Sequence, residues 1–354
     1  MNHRDKTKVI QVGNLKIGGG NPITVQSMTK TNTSDIDATV KQIHELEKAD
    51  CQIVRCAVPD KESAEALKEI KKQINIPLVA DIHFNHTYAL MAAEAGVDKL
   101  RINPGNIGDE EKIKAVVDAA KDHKISIRVG VNSGSLEKKI RKRYHGHVTA
   151  EGLVKSALNN IKILEKHGFD DIVVSLKATS IPTTIKAYQM MSKKTHYPLH
   201  VGITEAGITK VGTIRSAAGI GAILSQGIGD TIRVSLTGDP LEEVKLGYDI
   251  LKALELTFHG VTIISCPTCG RCDINVVEIA QEIEEKTRHI KQPLTVAIMG
   301  CEVNGPGEAA DADLGLAGGR GVGLVFREGE VVRKVREDEM VYALLDEIES
   351  MAIK

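Results

Sequence analysis

Tryptophan is absent from this chain, and aromatic residues of all kinds make up 3% of its 354 positions. The core must therefore rest on Ile, Val, Leu and Ala. Charge of one sign is lacking too: 46 Lys and Arg face 47 Asp and Glu, for a net charge of −1. That balance argues against general electrostatic binding to nucleic acid. Any anion site must come from local clustering. No stretch approaches the roughly 20 apolar residues of a membrane-spanning helix. Residues Met1 to Lys8 are polar and lack the apolar centre of a signal peptide. A cytoplasmic protein without membrane association is expected. Six cysteines are too few and too unevenly placed for a disulfide framework. Four of them fall between positions 266 and 301, which reads as metal binding in a reducing compartment.

What is present points to a soluble globular chain, with 42% hydrophobic and 26% charged residues. Short β-rich runs alternate with helical patterns. The expected strands are Ile23–Gln26, Gln52–Arg55, Pro77–Asp81, Lys99–Ile102, Ser126–Gly130, Asp171–Ser175, Leu199–Ile203 and Asp230–Val234. Several are near-continuous aliphatic runs, as in parallel strands buried on both faces. Between them, Ile36, Val40, Ile43 and Leu46 share one helical face, as do Ile113, Val116, Val117 and Ala120. Leu241, Val244, Tyr248 and Leu251 form another stripe, with Asp239 as N-cap and Pro240 at the first helical position. Eight consecutive βα units favour a closed TIM (β/α)8 barrel over an open doubly wound sheet.

The pattern changes near residue 258. Val261–Ile264 and Thr295–Ile298 read as strands, each leading to cysteine, with a helix over Ile274–Glu285 between them. Gly321–Phe326 and Val331–Val335 suggest a hairpin around Glu328–Glu330, and Glu337–Met351 a terminal helix with Val341, Leu344, Leu345 and Ile348 inward. The expected domains are a barrel over residues 1–258 and a small α+β iron–sulfur domain over 259–354, joined near His259–Val261.

Catalytic groups of such a barrel sit at the C-terminal strand ends. Those positions hold Gln26 and Ser27, Arg55, Asp81 and His83, Arg101 and Asn103, Arg128 and Asn132, Lys177, Glu205, and Arg233 with Ser235. Converging Arg55, Arg101, Arg128 and Lys177 would neutralise a diphosphate-sized anion, since arginine donates two parallel hydrogen bonds to phosphate. A lone cation at a strand end is usually a solvated rim residue, and Arg233 fits that description or a pairing with Asp230. Asp81 and His83 read equally as a structural pair. Glu205, among glycines in Gly202–Gly207, is favoured as acid/base over a core ion pair. The basic run Lys138–Tyr144 is most simply a solvated helix face that could also attract an anion.

The tail offers Cys266, Cys269 and Cys272 in series, then Cys301 alone in a glycine-rich loop with Asn304–Gly307 and Glu308. Paired cysteines two residues apart occur in zinc, iron–sulfur and redox sites alike. The isolation of Cys301 argues against structural zinc and against a simple dithiol. Amides of the Asn304–Gly307 loop could tune a cluster. Cys51 and Cys56 read as small core residues.

Taken together, Val25–Thr29, Val79–Phe84, Leu100–Gly108, Gly202–Gly207, Gly229–Ser235, Cys266–Cys269 and Cys301 with Asn304–Glu308 identify a resemblance. The chain resembles the family of bacterial 4-hydroxy-3-methylbut-2-enyl diphosphate synthases, the GcpE family, over essentially its whole length. The resemblance implies a fold, a reaction and a site. Family members reduce 2-C-methyl-erythritol 2,4-cyclodiphosphate, opening its ring and removing a hydroxyl with two electrons and protons. A 4Fe–4S cluster would rest on Cys266, Cys269, Cys301 and Glu308. Substrate would meet Arg55, Arg101, Asn103, Arg128, Asn132, Lys177 and Ser235, with Glu205 as acid/base and Asp81 and His83 alongside. Flavodoxin or ferredoxin would donate electrons. A homodimer would place one subunit's cluster domain over its neighbour's barrel. Cys272 departs from the family pattern and could compete with Glu308 as fourth ligand. The competing readings are a noncatalytic iron–sulfur carrier or sensor, and a barrel transferase with structural zinc. A carrier would have no use for several converging cationic strand ends.

Overall fold

The computed structural model describes residues 2–301, 309 and 312–352. Glu308 and the Asn304–Gly307 run lie outside them. The chain divides into two compact units, Met1–Thr257 and Phe258–Lys354.

In the first unit, the eight expected strands all form: β3 (Thr24–Met28), β4 (Ile53–Ala57), β5 (Leu78–Asp81), β6 (Lys99–Ile102), β7 (Ser126–Asn132), β8 (Ile172–Lys177), β9 (His200–Val201) and β10 (Thr231–Ile232). They pair in parallel, in the order β8-β7-β6-β5-β4-β3-β10-β9. A parallel bridge from Val174 to Leu199 joins the two edges and closes the barrel. Helices cover its outside. Asp35, Asp60, Asp109, Thr149, Ser180 and Asp239 each start one by accepting a backbone N–H that the helix cannot satisfy.

The strand faces differ in chemistry. Leu100, Ile102, Ile127, Val129, Val174 and Leu176 join the apolar layer beneath the helices. Their alternate neighbours, Lys99, Arg101, Ser126, Arg128, Ser175 and Lys177, point to the barrel axis and are buried. Both faces are buried, as expected for parallel strands, but the inner one is polar where a barrel interior is ordinarily aliphatic.

A short antiparallel hairpin that sequence periodicity does not reveal, β1 (Ile10–Val12) and β2 (Leu15–Ile17), precedes the barrel. Ile10, Val12 and Ile17 pack on Ile53, Val79 and Val173, near the strand starts. The hairpin thus plugs the N-terminal end of the barrel and leaves only the opposite end open.

The second unit is a five-stranded sheet in sequential order: β11 (Val261–Ser265), β12 (Leu294–Met299), β13 (Leu314–Gly319), β14 (Val322–Arg327) and β15 (Glu330–Arg336). The first three strands are parallel and the last three antiparallel. β13 is a strand missed in the sequence, because three of its six residues are glycine. The helices Val276–Lys286 and Met340–Ala352 pack on the sheet through Ile279, Ile283, Met340, Leu344 and Ile348.

Ile17→Ala should destabilise the barrel by about 2–5 kcal/mol, because Ile17 is fully buried in the plug. Exposed Lys16→Ala on the same strand should stay within about 0.5 kcal/mol of wild type. Urea titration of the full chain reads both, and an Ile17→Ala effect below that of Lys16→Ala would contradict the plug.

Candidate functional site

The inner strand ends converge on one cavity lined by Arg55, Arg101, Arg128, Asn132, Ser175, Lys177, Thr204, Arg233 and Ser235. Six of these are residues expected from the sequence. Ser175 and Thr204 are additions, small neutral residues with no sequence signal. Arg233 is a correction: it is neither a solvated rim residue nor the partner of Asp230. Its guanidinium lies 3.5 Å from Glu243. Asp230 instead accepts from Thr7 Oγ1 and the Leu199 amide.

Five cations therefore share a buried space with few anions. Asp81 bridges Arg101 at 3.0 Å and Arg55 at 3.6 Å. Burial pushes the Asp81 carboxyl up, but Arg55, Arg101, His83 and Arg128 outweigh it and leave it well below the usual range. Arg101 Nη1 also donates to His83 Nε2 at 2.7 Å, so that nitrogen is unprotonated and accepts through its lone pair. Asp81 and His83 hold Arg101 and are not part of the cavity lining. Glu243, fully buried, accepts from Ser27 Oγ at 3.1 Å and the Leu236 amide at 3.0 Å, and meets Lys30 at 3.2 Å. An acid in the first turn of a helix reads as solvated, so sequence reasoning missed this hub.

Two of the cations, Arg55 and Arg128, find few strong acceptors in the protein. Arg55 donates from Nε and Nη2 to the Met28 thioether at 3.1 and 2.8 Å, a weak acceptor. Arg128 Nη1 crosses the barrel to Gln26 Oε1 at 3.4 Å, and its Nε finds no partner among the described residues. Burial pulls Arg55 down to about 10 against the opposing pull of Asp81, and burial followed by like-charged neighbours pulls Arg128 and Lys177 well below their ordinary values. Arg101 is accommodated only because residue 130 is glycine: a Cβ there would sit 2.4 Å from its Nε. Asn132, with its amide oxygen turned to Arg101, accepts from Nη2 at 3.2 Å. Asn103 is buried, and neither polar atom of its side chain has a partner among the described residues. Such a site calls for an occupant rich in acceptors and negative charge.

Glu205 follows β9 in the left-handed region, at φ 54°, uncommon for a residue other than glycine. Its exposed carboxylate accepts from Thr179 Oγ1 at 2.9 Å. It follows Thr204 of the cavity lining but does not line the cavity itself.

In the second unit, Cys266 is half-buried and Cys269 exposed on the turn after β11, and Cys301 is half-buried after β12. The Gly300 amide donates to Cys266 Sγ at 3.3 Å, which suits a thiolate. Cys272 differs. Its Sγ donates to the Ile274 carbonyl at 3.1 Å, and a Cβ on residue 300 would lie 2.4 Å from that sulfur. Cys272 thus has a backbone partner of its own, at the same half-buried level as Cys266 and Cys301. Among the described residues, no three His, Cys, Asp or Glu side chains converge on one metal position. The donor set nevertheless fits an iron–sulfur cluster, since Cys266, Cys269 and Cys301 follow two paired strands and offer three thiols on neighbouring turns. Glu308 lies outside the described residues.

Thiol reactivity should follow these environments. Hydrogen bonds from Arg271 lower the Cys269 pKa, whereas burial raises Cys51 to about 12 and Cys56 to about 11. In reduced, metal-free protein near pH 7.5, iodoacetamide should label Cys269 ahead of Cys51 and Cys56, read by peptide mass spectrometry. Labelling of Cys56 before Cys269 would contradict the description.

Comparison with known proteins agrees along the whole chain. A family model described as GcpE TIM-barrel domain matches residues 7–248, and one described as GcpE protein C-terminal domain matches residues 262–350. The relative from Geobacillus thermodenitrificans, named 4-hydroxy-3-methylbut-2-en-1-yl diphosphate synthase (flavodoxin), is 59% identical over 99% of this chain and 93% of its own. One of the same name from Caldanaerobacter subterraneus subsp. tengcongensis is 58% identical over 98% of each. In fold alone, the first unit resembles dihydropteroate synthase from Stenotrophomonas maltophilia, with a TM-score of 0.52 at 12% identity over 70% of this chain and 97% of that one. 3-Dehydroquinate dehydratase from Geobacillus kaustophilus gives 0.50 at 17% identity over 72% and 99%. Those two cover 70% and 72% of this chain, whereas the family matches run through both units and the curated relatives through almost every residue, and so the chain belongs to the GcpE family.

Proposed function

We propose that this chain is a reductive iron–sulfur enzyme that converts 2-C-methyl-D-erythritol 2,4-cyclodiphosphate to (E)-4-hydroxy-3-methylbut-2-enyl diphosphate, a step of non-mevalonate isoprenoid synthesis. The observation that carries this reading is the buried, under-satisfied cationic cavity, in a chain whose relatives are named as diphosphate synthases. A noncatalytic carrier would have no use for such a cavity. The relatives' printed names support flavodoxin as electron donor, with ferredoxin as the alternative.

The role of the barrel follows from charge. Arg55, Arg101, Arg128 and Lys177 would clamp the diphosphate, and Asn103, Asn132 and Ser235 would contact its oxygens. Opening the ring at a carbon–oxygen bond leaves a new anionic phosphate oxygen. Preorganised cations gain more from that developing charge than from the intact ring, so they favour cleavage as well as binding. Glu205 would protonate the departing hydroxyl, which leaves as water. Cys266, Cys269 and Cys301, with Glu308 from the family resemblance, would hold one 4Fe–4S cluster per subunit, which would pass on the donor's two electrons one at a time. The engagement of Cys272 with Ile274 supports leaving it outside the ligand set. The resemblance also supports a homodimer in which the cluster domain of one subunit serves the barrel of the other.

Anaerobically purified protein should contain stoichiometric iron and sulfide and no zinc. Cys266→Ser, Cys269→Ser and Cys301→Ser should lose them, and Cys272→Ser should not. Iron lost from Cys272→Ser but kept in Cys301→Ser would overturn the ligand set. Arg55→Ala, Arg101→Ala or Arg128→Ala should each weaken substrate binding by about 2–3 kcal/mol with the cluster absorption intact. Unchanged affinity in all three would place the substrate elsewhere. For the dimer, inactive Arg128→Ala/Lys177→Ala protein mixed with inactive Cys301→Ser protein should regain activity on subunit exchange. A mixture that stays inactive despite exchange would refute service between subunits.

A further inference from the structure

We propose that His200 is a positioning residue of the anion site, whose neutral imidazole holds the Lys177 ammonium in place against the surrounding cations. The proposal rests on reading the cavity as a diphosphate site. It assigns a role to a buried histidine that lies outside the cavity lining and that the proposed reaction does not otherwise use.

His200 lies on β9 with no exposed surface. Its Nε2 is 3.2 Å from Lys177 Nζ, and its Nδ1 is 2.5 Å from Thr231 Oγ1 on the neighbouring strand. The register pairs Thr231 with His200, and the Tyr188 hydroxyl donates to the His200 carbonyl at 2.5 Å. The ring is therefore held from two sides. An ammonium can only donate, so Nε2 must offer its lone pair to Lys177. Nδ1 then carries the proton and donates to Thr231. A doubly protonated ring would turn an N–H toward the ammonium. Burial, followed by Arg128, Lys177, Lys99 and Arg55, pulls the His200 pKa well below its usual value, in keeping with a neutral ring.

Lys177 has few alternatives. A Cβ at residue 202 would lie 2.8 Å from its Nζ and 2.5 Å from the Arg233 carbonyl, so the lysine head occupies space that only glycine leaves open. The charged groups acting on it from the other strands, Arg128, Arg233, Arg55 and Arg101, are all cationic and lower its pKa after burial does. His200 Nε2 is the acceptor that keeps the head charged. One N–H is spent on it, and the others remain for a phosphate oxygen.

The two effects predict a distinctive signature. Anion binding requires the protonated lysine, so affinity falls as pH rises through the Lys177 pKa. Removing its acceptor lowers that pKa and moves the alkaline loss of affinity to lower pH. The test is calorimetric titration of inorganic pyrophosphate into the full chain across a pH series, with circular dichroism to verify folding. The ligand's own ionisation is common to all variants and cancels in the comparison.

His200→Leu should bind about tenfold more weakly, the scale of one lost hydrogen bond to a charged group, with its alkaline limb at lower pH. His200→Gln, whose amide oxygen can accept in place of Nε2, should recover most of both. Thr231→Val, which frees the Nδ1 proton, should shift the limb in the same direction, and it decides the matter if His200→Leu does not fold. A wild-type limb in the folded variants, or equal losses in His200→Leu and His200→Gln, would overturn the proposal. Arg128→Ala separates the two readings. If it binds pyrophosphate normally, the anion site itself is wrong. If it binds weakly while His200→Leu binds normally, only the role of His200 falls.

Discussion

Uncompensated positive charge buried inside the barrel is the constraint on which the first unit depends. Removing a guanidinium or ammonium from water costs several kcal/mol unless partners replace the lost solvation. Here Arg55, Arg101, Arg128, Lys177 and Arg233 surround one cavity, with Asp81 and Glu243 as the carboxylates that meet them. The depressed pKa values of Arg55, Arg128 and Lys177 express the same tension. An interior built this way does not stabilise the barrel. The apolar layer between strands and helices must do so, and β1 and β2 close the far end with aliphatic contacts. Stability thus comes from the outer face of the strands and from the plugged end, and function from the open end.

The supporting residues follow from that division. Asp81 and His83 fix Arg101, and Gly130 leaves room for it. Glu243 ties Arg233 to the helix Pro240–Ala253. Each orients a cation by contacts that a ligand need not supply, so the cavity is largely preorganised. In the second unit a similar economy separates the cysteines. Cys272 donates to the Ile274 carbonyl, whereas Cys266 accepts from the Gly300 amide and Cys269 is exposed.

Much of this is legible in the sequence. The eight strands stand out as aliphatic runs between amphipathic helices, and the strand-end cations follow from their positions. Other features leave no local trace. β1 and β2 are three residues each, too short for a period-2 pattern. β13 is masked by its glycines. Glu243 is one of two acids in the first turn of a helix and His200 a lone polar residue in an apolar strand, and only the packing reveals what each one holds. Arg233 has a nearby acid in sequence, Asp230, but its partner in space comes from the following helix. The polar inner face is also hidden, because a run such as Ile127–Val131 reads as buried on both sides whatever lines the axis. Glu308, central to the family resemblance, lies outside the described residues.

The central claim is that the barrel carries a charge excess which an anion relieves, and stability measures it directly. Urea unfolding of wild type and Arg128→Met should be compared with and without pyrophosphate at constant ionic strength. Without the anion, Arg128→Met should be as stable as wild type or more so, because an apolar side chain replaces an unpaired buried charge. Pyrophosphate should then stabilise wild type in proportion to the logarithm of its concentration and leave Arg128→Met nearly unchanged. A strongly destabilised Arg128→Met, or equal stabilisation of both proteins by pyrophosphate, would contradict the account.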